Sequence, residues 1–262
     1  MKSRIQFIRN ATLVLNYAGK RLLMDPMFAE KGAYPGFPGT ANSELRNPLV
    51  EMPVEPESLI DVDAVLVSHL HPDHWDKVAV QTLPKQIKVL AKDDEDANTI
   101  RSQGFTNVEV LEKDANFEGL HFQQTYCQHG PDAAYEIPEL AEFLGEPAGY
   151  YFNEEDEKSI YFLGDTVWID QVENNLKTWQ PDVVVVNTGY ARMEDENMGA
   201  ILTGKKDVQR VHEFVPDATI IAIHMEALNH CLLSRKELKE YAEEKGFSEN
   251  LIIPEDGEVI NL

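Results

Sequence analysis

The chain has 262 residues, 43% of them hydrophobic, which suits one large α/β domain spanning 1–262. Its formal net charge of −23 repels phosphate backbones and anionic bilayers, and Lys205-Lys206 is a pair rather than a basic patch, so neither a nucleic-acid nor a membrane partner is expected. Two cysteines, a start without the pattern of a secretion signal, and no apolar run near the roughly 20 residues that span a bilayer together predict a cytoplasmic protein.

In chain order, Ile5–Ile8, Thr12–Asn16 and Arg21–Met24 read as short strands, with Ala18-Gly19-Lys20 turning between the last two. Residues 26–58 hold six prolines and three glycines and keep no helical or strand period, which predicts a long functional loop or a disordered excursion. Ala64–Val67 is a buried strand by composition, Trp75–Leu83 reads as helix, and Ile87–Ala91 as strand. Asp93–Gln103 reads as a helix with acids in its first turn and Gly104 past its end. Strands follow at 108–111 and 120–127, then a second irregular stretch at 128–148, then strands at 149–153 and 159–163. The last third alternates helix and strand: helix 168–179, strand 183–186, helix 203–214, strand 219–223. A final helix, 234–245, has Ser234 as N-cap, Glu237 at the capping-box position and Gly246 at its end, before a short tail, 251–253 and 258–260, that closes the chain.

One segment carries chemistry. His69, His71, Asp73 and His74 directly follow the apolar strand 64–67. Positions 69, 71 and 73 of an extended stretch point the same way, and Pro72 stiffens it. His74 then falls near the first turn of the next helix. Nitrogen and oxygen donors at this density suit zinc, manganese or iron. With eight His in the chain, three within six residues are hard to obtain by chance. His129, Asp165 and His224 each lie just past the end of an apolar strand, where α/β architectures bind ligands. Gly164 would let the backbone approach closely beside Asp165. A lone His after a strand is more often structural, so these three are weaker candidates than the cluster. His121 lies near the start of its strand, His212 inside a helix, and Cys127 within a strand, where a small buried residue is the expected reading. Trp75, Trp168 and Trp179 are expected in the core.

His69-x-His71-x-Asp73-His74, followed in order by His129, Asp165 and His224, resembles the ligand set of the metallo-β-lactamase fold superfamily. The resemblance covers essentially the whole chain, including the hairpin ending in Asp25-Pro26. It implies a four-layer αββα sandwich with the site at one edge. Carried over, His69, His71 and His129 would hold one metal, and Asp73, His74 and His224 a second. Asp165 would bridge the two, and Asp76 would support the site from behind. Within the superfamily the chain resembles the branch containing L-ascorbate-6-phosphate lactonase, through His-x-His-x-Asp-His-x-Asp, Gly164-Asp165-Thr166 and the segment near Thr203. The run after His224, Met225 to His230, departs from that lactonase.

The function expected is hydrolysis of a small-molecule ester, lactone or phosphoester by a water activated between two divalent cations, zinc or manganese before iron. Asp73 and Asp165 are the expected catalytic carboxylates. Tyr190, Arg192 and His230, with loops 26–58 and 128–148, are the expected substrate contacts, Arg192 being suited to a phosphate or carboxylate. A phosphodiesterase acting on lipids or nucleotide metabolites is an alternative, as is a non-catalytic, metal-stabilised binding module. Oxygen chemistry at two irons is a weaker fit, because His71 stands where such proteins commonly carry Glu. The partners expected are a small-molecule substrate and at most further copies of the chain.

Overall fold

The first apolar runs form an antiparallel meander, β1 (Arg4–Arg9), β2 (Thr12–Tyr17) and β3 (Lys20–Met24), in a computed structural model that describes residues 3–262, the side chain of Glu196 excepted. Ala18 and Gly19 both take positive φ, 47° and 79°, which matches the twist of the strands that they join. The chain then crosses over through 26–63 to the parallel strands β4 (Ala64–Val67), β5 (Val89–Ala91) and β6 (Val108–Val110). The crossovers carry α1 (Lys77–Thr82) and α2 (Asp94–Ser102). Asp93 caps α2 by accepting from Asp96 N at 2.9 Å, as its position predicts.

A second sheet begins with β7 (Asp114–Phe117) and β8 (Leu120–Tyr126), then α3 (Asp132–Tyr135), α4 (Pro138–Leu144), β9 (Ala148–Phe152) and β10 (Ile160–Phe162). It continues with α5 (Asp170–Trp179), β11 (Val183–Asn187), α6 (Lys205–Phe214), β12 (Thr219–Ile223), α7 (Arg235–Lys245) and β13 (Leu251–Ile252). The closing strand β14 (Val259–Asn261) returns to pair with β1. Each sheet has seven strands among the described residues, ordered β14-β1-β2-β3-β4-β5-β6 and β13-β12-β11-β10-β9-β8-β7.

The facing sides of the two sheets share a core in which Phe7, Leu15 and Leu66 meet Phe152, Phe162 and Val185. The outer face of the first sheet is covered by α1 and α2 through Trp75, Ala79 and Ile100. The outer face of the second is covered by α5, α6 and α7 through Leu176, Val211 and Leu238. That is the αββα sandwich. It explains why β11 is buried at every position: a central parallel strand has no solvent side. Each of its valines contributes roughly 2 kcal/mol by leaving water. Trp75 is buried under the first sheet's helices, whereas Trp168 and Trp179, expected in the core, pack half-buried against the second sheet's helix layer. No helix of the described residues is long and apolar enough to cross a membrane.

Three sequence expectations need correction. The helix expected from Trp75 begins at Lys77, because Asp76 is its N-cap, so His74 sits in the turn before the helix rather than in its first turn. Stretch 128–148 is not wholly irregular. Pro131 and Pro138 stand at the starts of α3 and α4, where a missing N–H costs no helical bond. Strand β7 escapes the sequence pattern, since it is only 4 residues long and its turn, Glu118-Gly119, lacks the common Asn-Gly or Asp-Gly signal.

The long loop after β3 is ordered, not an excursion. Arg9, fully buried, donates to the carbonyls of Val50 (3.1 Å), Met27 (3.2 Å) and Ala29. Asn229, also buried, accepts on Oδ1 from Asn47 Nδ2 at 2.7 Å and Phe37 N at 3.1 Å, and donates to Thr40 Oγ1 and the Ala41 carbonyl. These bonds staple the loop to β1 and to the segment that follows β12.

Candidate metal centre

Strands β3 and β4 of one sheet and β8, β10, β11 and β12 of the other end at one edge of the sandwich, and every donor expected from the sequence sits there. Ser68 through His74 extend from β4, His129 follows β8, Asp165 follows β10 and His224 follows β12. The ends of β3 and β11 add Asp25 and Asn187. Gly164 makes the β10 turn possible: it takes φ +71°, and a Cβ there would lie 2.6 Å from the Ala148 carbonyl.

The donors fall into two groups, His69, His71 and His129 in one, and Asp73, His74, Asp165 and His224 in the other. Within each group one ligand atom per residue lies within 4.8 Å of all the others. Asp165 Oδ2 stands between the groups, 3.2 Å from His74 Nε2 and 3.5 Å from both His129 Nε2 and His224 Nε2. Asp73 Oδ2 is 3.2 Å from His224 Nε2 and 3.4 Å from His74 Nε2. All of these side chains except His71 are buried.

The outward nitrogen of each ring has a partner, and the partners fix the tautomers. His129 Nδ1 donates to the Ile201 carbonyl at 2.8 Å, so its Nε2 lone pair faces the centre. His71 is reversed: its Nε2 donates to the Phe143 carbonyl at 2.7 Å, leaving Nδ1 inward. His74 Nδ1 donates to Asp25 Oδ2 at 2.9 Å, and that carboxylate is held by the Ser68 amide and hydroxyl, both at 2.7 Å. His69 Nδ1 meets Ser68 Oγ at 3.0 Å, and its Nε2 is buried with no protein partner. His224 Nδ1 meets Cys231 Sγ at 3.6 Å. Asn187 Nδ2 donates to Asp165 Oδ1 at 2.6 Å, and Asn10 Nδ2 to Asp73 Oδ2 at 3.3 Å.

Lone pairs and carboxylates converging in a buried space repel one another unless a cation lies among them. The protonation directions express that demand. Burial works to discharge His74 and His224, yet Asp165, with Asp73 and for His74 also Asp25, holds both well above the usual histidine range. Burial works to protonate Asp73 and Asp165, yet the two histidines hold both carboxylates well below theirs. His69, buried among His74 and His71, is pushed well below its usual range, and burial takes His129 to about 4. A three-imidazole group that resists protons beside a carboxylate-rich group that demands positive charge fits divalent cations, and the orphaned His69 Nε2 gains its missing partner from one.

The remaining residues divide. Asp76 caps α1, accepting from Ala79 N at 2.6 Å, and its second oxygen accepts from Ala29 N and Tyr34 Oη. It therefore fastens the long loop behind the cluster rather than orienting a donor. His230 lies beside the centre, buried, with Nδ1 unpartnered and its ring edge-on to Phe37 at 5.1 Å. Burial lowers its pKa to about 4, against the pull of Asp73. Tyr190 instead lines a cavity of about 320 Å³ between α6 and α7, and none of that cavity's lining residues is among the seven donors. The Arg192 guanidinium lies 5.7 Å from the Tyr190 ring, while its amide donates to the His230 carbonyl. His121 and His212 lie away from the edge, one against Glu154 and one stacked on Phe247. Cys127 is a buried thiol donating to the Leu163 carbonyl.

Asp25, Ser68, Asn10, Asn187 and Cys231 were not picked out as supports by spacing, although Asp25 and Asn187 obey the same strand-end rule as the donors. Cys231 owes its place to Gly189, where a Cβ would lie 2.2 Å from the His224 carbonyl and 2.6 Å from the sulfur. Cys231→Ala is expected to weaken metal binding by roughly 10–100-fold, the usual effect of losing a ligand's outer partner, with Cys231→Ser retaining part of the affinity. Competition against a chromophoric chelator measures it, and an unchanged affinity in the alanine variant would remove Cys231 from the site.

The fold has counterparts among known proteins. Residues 4–224 match the family model described as beta-lactamase superfamily domain. UPF0173 protein YddR of Bacillus subtilis is 47% identical over 252 residues, 96% of this chain and 96% of that protein. The crystal structure of an isothiocyanate hydrolase from Delia radicum gut bacteria has 46% identity and a TM-score of 0.95, covering 99% of each chain. That of a possible metal-dependent hydrolase from Veillonella parvula has 37% identity and a TM-score of 0.97, covering 100% of each.

Proposed function

This chain belongs to the beta-lactamase superfamily, and within it to the UPF0173 proteins, and from that premise we propose that it is a dinuclear metal-dependent hydrolase of small, uncharged electrophiles. The observation that carries the reading is the set of five imidazoles with outward nitrogens engaged, facing Asp73 and Asp165 across a buried space. His69, His71 and His129 would hold one cation, Asp73, His74 and His224 the other, with Asp165 shared. Two divalent cations there supply a water acidified to near neutrality and a counter-charge for the anion that develops on attack.

The chain's own groups do the rest. Asp165, fixed by Asn187, sets the separation of the two halves of the site. Asp73, held on Oδ2 by Asn10, takes the proton of the attacking water. His230 stays neutral and offers hydrogen bonding rather than charge to the substrate. The isothiocyanate substrate of the 46%-identical hydrolase fits these parts. Water adds through oxygen to the central carbon of R–N=C=S and one of its protons passes to nitrogen; its second proton passes to nitrogen as the C–N bond breaks, giving R–NH2 and O=C=S. The same attack on an ester or lactone carbonyl is the second reading, favoured by the resemblance of His69 to Asp76 to the lactonase branch. A phosphoester is less favoured, because a chain of net charge −23 repels anions.

The test is turnover of benzyl isothiocyanate and of uncharged lactones by protein stripped with chelator and reloaded with zinc or manganese. Amine release that vanishes on stripping, returns on reloading and is lost in His71→Ala is expected. No metal-dependent turnover of either class would overturn the reading.

A further inference from the structure

Two aromatic rings from two separate segments lie at the margins of this centre, one against a donor and one against His230, and no step so far uses them. Phe143, from α4, stacks on the His71 ring at 5.8 Å and 29°, while its carbonyl takes the His71 Nε2 proton. It nevertheless keeps 39% of its surface in water. Phe37, from the long loop, meets His230 edge-on and is half-buried. His230 precedes Cys231, whose sulfur meets His224 Nδ1, so Phe37 flanks the His224 side of the centre and Phe143 the three-imidazole group. An exposed ring beside a charged centre gains when another apolar group covers it.

Neither ring is loosely placed. Phe37 N donates to Asn229 Oδ1, and Gly36 is packed so tightly that a Cβ would lie 2.5 Å from the carbonyls of Ser43 and Leu45. The Phe143 main chain is tied by the bond from His71. A wall fixed in advance loses little entropy when it receives a ligand.

We infer that Phe37 and Phe143 are specificity determinants that clasp an apolar, preferably aromatic, substituent on the substrate while its electrophilic carbon faces Asp73 and Asp165. This rests on the hydrolase reading for its chemistry, not for its binding. The charge balance points the same way, since an acidic chain admits an uncharged substituent more readily than an anionic one.

The experiment uses the metal-loaded full chain with two pairs of probes. Benzyl and methyl isothiocyanate report turnover. N-benzylformamide and N-methylformamide, uncharged and unreactive, report binding by calorimetry. The wild type is expected to prefer the benzyl member of each pair by about tenfold or more, as apolar pockets discriminate. Phe37→Ala and Phe143→Ala should each reduce the benzyl-to-methyl ratio about tenfold, with Phe37→Leu and Phe143→Leu intermediate and metal content unchanged. Ratios within about twofold of wild type in all four variants would overturn the inference. A benzyl preference in binding without turnover of either isothiocyanate would uphold the wall and sink the isothiocyanate chemistry. Absence of any preference in the wild-type formamide pair would sink the wall whatever the turnover.

Discussion

Replacing Asp165 by Asn is expected to lower kcat/KM by about three orders of magnitude, about 4 kcal/mol of barrier, and to leave the protein folded. Oδ2 of Asp165 lies within 3.5 Å of Nε2 of His74, His129 and His224 alike. An amide at the same place keeps the shape but loses the charge. It also turns either an N–H2 or a weaker oxygen toward three nitrogens whose lone pairs point inward. The Asn187 side chain, which now donates to Oδ1, can remain in place. Metal content measured on the variant should fall below that of the wild type, while its far-ultraviolet circular dichroism should not change. A variant that kept its rate within about tenfold would show that the two halves of the site work without a shared carboxylate.

Arg9→Met should destabilise the protein by about 4 kcal/mol, lowering Tm by about 12 °C in a chain of this size. Replacing a buried ion by a hydrophobic residue of similar length is often harmless, because the ion itself was expensive to bury. Arg9 does carry that expense: burial lowers its pKa, although Asp76 and Asp256 oppose the shift. Its acceptors, however, are the main-chain carbonyls of Met27, Ala29 and Val50, which no substitution elsewhere removes. A methionine fills the volume and leaves these carbonyls buried without a donor. Differential scanning calorimetry decides the matter, and a Tm within about 3 °C of wild type would mean that the loop finds other donors.

Much of the site was legible because its donors obey local rules. The cluster at 69–74 announces itself by density, and His129, Asp165 and His224 by standing at strand ends. The helix ends of α2 and α7 were legible too, since capping is a matter of a few adjacent residues. What could not be read were the supports. Asp25 and His74 lie 49 positions apart, and Asn187 and Asp165 22 apart, each pair joined only at the ends of two neighbouring strands, β3 and β4 or β10 and β11. No spacing encodes such a pair. The place of Tyr190, expected as a substrate contact, is illegible for a related reason: it follows β11 at the right edge, but its left-handed backbone, φ 50°, accompanies a ring that packs over Gly204 toward α6.

Arg9 has a bearing on how such a protein can diversify. It grips the long loop through peptide oxygens, which every residue type provides. The anchor is thus indifferent to the side chains it holds in place. A lineage can exchange the residue at position 37, and with it the range of molecules admitted, without renegotiating the attachment of the loop to the scaffold. Novelty at the rim and constancy beneath it are in this way inherited separately.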